Sequence, residues 1–79
     1  MPRKNARVIA LHITTSKGKG GWVIYNSKGG FEGFASDDDI GGPGERSIRR
    51  VFPNATLLAG DLLVPKDVLK MFLGFPRLS

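Results

Sequence analysis

Cysteine is absent from this chain of 79 residues, which removes disulfides, thiolate nucleophiles and cysteine-based metal sites. Histidine occurs once, as His12. With no second His or Cys it completes no metal-ligand set, and no Ser/Asp constellation marks it as a base. It is expected to be a partly exposed strand residue. No apolar run approaches the roughly 18 residues that cross a bilayer. The opening MPRKNARVIALHITT is basic and then apolar, but it alternates and no small-residue cleavage site follows. It reads as a strand, with a cytoplasmic location expected and no membrane partner. Acids are scarce in the first part of the chain: none precedes Glu32, and three of the seven fall in SDDDIGG. No carboxylate pair has an evident acid/base arrangement, so the chain is expected to be neither an enzyme nor a holder of a metal or cofactor.

The hydrophobic fraction of 41% supports a packed core, and the length fits one small domain spanning residues 1–79. Residues 1–6 form a basic lead-in and residues 75–79 a short tail. The formal net charge of +5 is unevenly spread. Arg3, Lys4, Arg7, Lys17, Lys19 and Lys28 all lie within residues 1–31, while the remainder is close to neutral. A basic half of this kind points to an anionic partner: nucleic acid, a nucleoprotein or an acidic protein face.

The chain organises around GGWVIYNSKGGFEGFA, residues 20–35, which reads as a β-hairpin. Before it, residues 7–14 alternate, with Ile9, Leu11 and Ile13 on the side expected to face the core. SKGKGG is then a flexible loop joining the first two strands; it lacks both the Walker spacing and GxGxxG. Asn26 and Gly29 suit a tight turn into the third strand. KGGFEGFA resembles the RNA-recognition ribonucleoprotein sequence, but Phe31 and Phe34 stand three apart and point to opposite faces unless a bulge at Gly33 intervenes. SDDDIGG fails the calcium-loop pattern at positions five and twelve and reads as a solvated loop.

PGERSIRRVF, residues 43–52, reads as a short helix with Ile48, Val51 and Phe52 inward and Arg46, Arg49 and Arg50 outward. TLLAGDLLV is one bulged strand or two short ones. Pro65 then opens a last helix with Val68, Leu69, Phe72 and Leu73 buried, Lys66 and Lys70 outside, and Gly74 as the cap. The fold class expected is α+β: an antiparallel sheet of three to four strands, in β-β-β-α-β-α order, with both helices packed on one face.

In size and layout (RVIALHIT, GWVIYNS, GFEGFAS, GGPGERSIRR, TLLAGDLLV) the chain resembles the small phage anti-CRISPR proteins. These share no single fold. The resemblance implies a compact, phage-encoded protein acting in the host cytoplasm by covering a working surface of a CRISPR surveillance complex. It carries no residue-level motif. From the residues themselves, Arg46, Arg49, Arg50, Lys17, Lys19 and Lys28 are the candidate partner-binding side chains. Three roles remain open: a non-enzymatic protein covering a larger protein or nucleoprotein, a direct binder of nucleic-acid phosphates, and a subunit that pairs its sheet edge with a copy of itself as a homodimer.

Overall fold

The first strand carries apolar residues on both sides, Val8 and Ala10 on one and Ile9, Leu11 and Ile13 on the other, and that property sets the architecture. The computed structural model describes residues 5–75, so the lead-in expected over residues 1–4 and the tail over 76–79 lie outside the described residues. The elements are β1 (Val8–Thr14), β2 (Gly20–Asn26), β3 (Phe31–Ser36), α1 (Glu45–Val51), β4 (Thr56–Leu63) and α2 (Lys66–Leu73). The four strands form one sheet in the order β3-β2-β1-β4.

β1 to β3 make the expected antiparallel meander, whereas β4 lies parallel to β1. The sheet is therefore mixed rather than antiparallel. The reason is that α1 carries the chain back along the sheet, so the next strand starts at the end where β1 starts. The two helices also lie on opposite faces, not on one. Val8, Ala10, Trp22, Ile24 and Ala35 pack with Ile48 and Phe52 of the α1 segment. Ile13, Val23 and Phe34 pack with Leu69, flanked by Leu11, Tyr25, Phe72 and Leu73. The Ile/Leu side of β1 thus takes α2, and the Val/Ala side takes α1. Both faces of this central strand are therefore covered.

Local chemistry sets the element ends. The β2–β3 turn follows expectation: Asn26 Oδ1 accepts from the amides of Lys28 at 2.9 Å and Gly30 at 2.8 Å, and Gly29 has a φ of 89°. The loop of residues 15–19 is a closed turn, with the Thr15 amide donating to the Lys19 carbonyl (2.7 Å) and the Gly18 amide to the Thr15 carbonyl (2.9 Å). Those amides are spent inside the turn and do not cradle an anion. α1 is shorter than the span of residues 43–52, with Pro43 and Gly44 lying ahead of it. A helix of two turns is marginal alone; fully buried Ile48 and nearly buried Phe52 hold it on the sheet. α2 has Pro65 as the residue preceding its first turn and Gly74 as its C-cap.

Two irregularities matter later. Between Ile24 and Tyr25 the β2–β3 register shifts, so that Gly33 faces Ile24 while Phe31 faces Tyr25. This is the bulge needed to bring Phe31 and Phe34 to one face, where their ring centroids lie 6.2 Å and 5.7 Å from that of Phe72. In β4, Leu57 faces Ala10 and Asp61 faces His12, so the strand makes four steps where β1 makes two. Residues 56–63 form one strand with two extra residues looped out around Gly60, whose φ is 80°.

Candidate binding groove at one end of the sheet

The ends of β1, β3 and β4 and the start of β2 meet at one end of the sheet, and the polar chemistry of the chain gathers there. Leu63, Val64, Pro65, Leu69 and Leu73 floor a groove of about 560 Å³. Lys17 and Lys19 reach it from the β1–β2 turn, and Lys66 and Lys70 from α2, with Thr15 and Ser16 between them; no acid lines it. All four lysines are exposed. The floor has a physical cause. The Val64 amide donates to the Thr14 carbonyl at 2.8 Å, which ends β4 against β1, and Pro65 then turns the chain into α2. Lys66 and Lys70 stand one helical turn apart on the same side of α2.

A second hollow of about 360 Å³ adjoins the groove and shares Lys19, Leu69 and Leu73 with it. Its other wall is acidic, carrying Asp37, Asp38 and Asp39. The end of the sheet is thus cationic on one side of Lys19 and anionic on the other.

Beneath this end lies a polar cluster that contradicts the expectation for His12. His12 is 6% exposed, and both its ring nitrogens face carboxylates. Nδ1 lies 2.8 Å from Asp61 Oδ1, and Nε2 lies 2.9 Å from Asp37 Oδ2. A ring nitrogen that carries a proton donates it to the carboxylate it faces. Asp37 is itself 6% exposed, so SDDDIGG is not wholly a solvated loop. Its backbone holds the loop as well: the Asp37 amide donates to Gly20, and its carbonyl accepts from Ile40 and Gly42. Trp22 lies edge-on to the His12 ring, centroids 4.9 Å apart. The Trp22 indole N–H is buried without a hydrogen-bond partner among the described residues. The cluster braces the structure: His12 joins β1 to the β3–α1 loop and to β4. Among the described residues no group of His, Cys, Asp and Glu side chains is placed to hold a metal ion.

The remaining candidate residues do not join the groove. Lys28 sits in the β2–β3 turn at the far end of the sheet, on the order of 20 Å away along strands of this length. Arg46, Arg49 and Arg50 belong to α1, on the opposite face. The three exposed arginines line one open hollow together with Glu45, and Arg49 is also engaged locally. Arg49 Nε donates to Glu45 Oε1 at 2.9 Å, and its Nη1 donates to the carbonyls of Ala55 (3.1 Å) and Pro53 (3.4 Å). It closes the turn after α1. Replacing Arg49 by Ala is expected to lower unfolding stability by about 1 kcal/mol, whereas Arg46→Ala should stay within about 0.5 kcal/mol. Urea denaturation of the two variants measures the difference, and equal effects would contradict the bracing role.

Comparison of the chain with protein-family models, with curated proteins and with solved structures found no match. No family assignment follows. The site therefore rests on its own chemistry.

Lys66 and Lys70 were absent from the candidate set because the α2 pattern placed them only as outward residues. Their partnership with Lys17 and Lys19 depends on β4 running parallel to β1. Lysines at a helix start that follows an apolar strand are the one sequence cue that points to the groove.

Proposed function

We propose that this chain is a non-enzymatic binding protein that covers a surface of a larger protein or nucleoprotein target. The observation that carries the reading is the groove itself, an apolar floor ringed by four lysines with no acid among its lining residues. Such a surface offers burial for affinity and charge for steering. Its lining also lacks the usual means of catalysis: Lys, Ser and Thr side chains are present, but no base lies beside them. His12, the one imidazole, is occupied on both nitrogens. The resemblance in size and layout to small phage anti-CRISPR proteins makes a CRISPR surveillance complex a target of the right kind.

Affinity capture from a nuclease-treated host lysate tests the reading, with Lys17→Glu/Lys66→Glu as the paired control. A protein partner retained after nuclease treatment and lost with the charge reversal is expected. Recovery of nucleic acid alone, with binding that falls steeply as salt rises, would replace this reading with direct phosphate binding.

A further inference from the structure

We infer that the lysine-rimmed groove takes a short acidic, amphipathic peptide segment of its partner, with aliphatic side chains on the floor and carboxylates at the rim. The inference rests on the reading of the chain as a binding protein and supplies the chemistry of what it binds.

Four features select this occupant. The groove volume of about 560 Å³ falls in the range of clefts that enclose a ligand or a few side chains. Its floor is aliphatic, and Leu63 on it is 67% exposed. Surface of this kind gains from covering by apolar side chains, at about 25 cal/mol per Å² removed from water.

The cations are all lysines, and no arginine or aromatic ring lines the groove. Nucleic-acid grooves rely on rings for base stacking and favour arginine for bidentate phosphate contacts, so the lining does not suit a nucleotide chain. A row of lysine ammonium groups is complementary to carboxylates separated by the turn of a helix. Lys66 and Lys70, spaced i and i+4, match acidic residues at the same spacing on a partner helix.

The neighbouring acidic hollow decides the length. A continuous polyanion leaving the groove past Lys19 would meet the exposed Asp38. A short segment whose negative charge ends at Lys19 meets no such repulsion. The same acidic wall disfavours a flat anionic membrane laid across the whole end of the sheet. The groove is a concave site, not a flat one.

The test is a titration of the full ¹⁵N-labelled chain, read by amide chemical shifts. The main probe is a synthetic acidic helix of about four turns, with Leu at i, i+4 and i+7 and Glu between. Controls are a scrambled isomer of identical composition, a single-stranded oligonucleotide, and vesicles of phosphatidylcholine with phosphatidylglycerol. The amphipathic peptide is expected to shift amides at residues 15–19 and 63–73 and to leave residues 26–31 unmoved. Lys66→Glu/Lys70→Glu should weaken it about tenfold or more through the lost rim charge. Leu63→Ser should weaken it while leaving its salt dependence unchanged. All three positions are exposed, so the unperturbed part of the spectrum confirms that the variants fold.

Equal binding of the scrambled isomer would overturn the inference, as would shifts caused by the oligonucleotide or the vesicles instead of the peptide. A partner captured from lysate through the lysines, together with a silent peptide titration, would leave the proposed function standing and remove this inference alone.

Discussion

His12→Leu is expected to cost about 3 kcal/mol, the upper end of the range for a buried polar group left without its hydrogen-bond partner. The Asp37 side chain is 9% exposed, and His12 supplies its side-chain contacts at 2.9 and 3.2 Å. Without the ring, the carboxylate stays buried and unpaired. For a chain of this length the whole stability is roughly 4–12 kcal/mol at 0.05–0.15 kcal/mol per residue, so the loss approaches the threshold of folding. The double variant His12→Leu/Asp37→Leu removes both members and should recover a large part of the cost. Asp61→Asn should cost no more than about 1 kcal/mol, because the Asp61 side chain is 62% exposed and its pairing is screened. Guanidinium denaturation of these three variants, of the single variant Asp37→Leu and of the unaltered chain reads the pattern. Additive losses for His12 and Asp37 would show that the two are not coupled.

Phe34→Ala is the second large effect, at about 3–5 kcal/mol for a phenylalanine truncated in a packed core. Phe34 is wholly buried and stacks on Phe72 of α2 at an interplanar angle of 27°. It lies in the cluster under α2 with Ile13, Val23 and Leu69. The consequence should be regional. Amides of α2 lose exchange protection before those of β1 and β2, because α2 loses the largest side chain beneath it. Although Phe34 does not line the groove, Lys66, Leu69, Lys70 and Leu73 are positioned by the helix it supports. Binding at the groove should fall with α2 even where the sheet stays folded. Hydrogen exchange that shows uniform loss across the chain would contradict this division.

The contrast between these two residues shows what the sequence could reveal. Phe34 sits within a local strand pattern, and the β1–β3 meander, the Asn26–Gly29 turn and the apolar stripe of α2 all follow from neighbours in the chain. The rest depends on distant pairings. His12 meets Asp37 and Asp61 across separations of 25 and 49 residues, and nothing near His12 announces either partner. The parallel placement of β4 is equally non-local. One cue was present and carried more than it was given. Val8 and Ala10 are as apolar as Leu11 and Ile13, and two amphipathic helices were expected. A strand with two greasy sides and two helices to cover them calls for one helix on each. The aromatic spacing of Phe31 and Phe34 needed the Gly33 bulge to be resolved, and the resulting shared face serves α2.

The two residues looped out of β4 also bear on how the molecule keeps to itself. β4 is an outer strand, exposed along nearly its whole length, with Leu58 and Leu62 facing outward to solvent. An outer strand of eight regular residues with that composition would be a template for cross-β growth. The loop-out breaks the row of backbone donors and acceptors into residues 56–57 and 61–63, both shorter than a regular eight-residue edge. The irregularity that carries Asp61 to His12 therefore also interrupts this edge and shortens the ladder another strand could form along it.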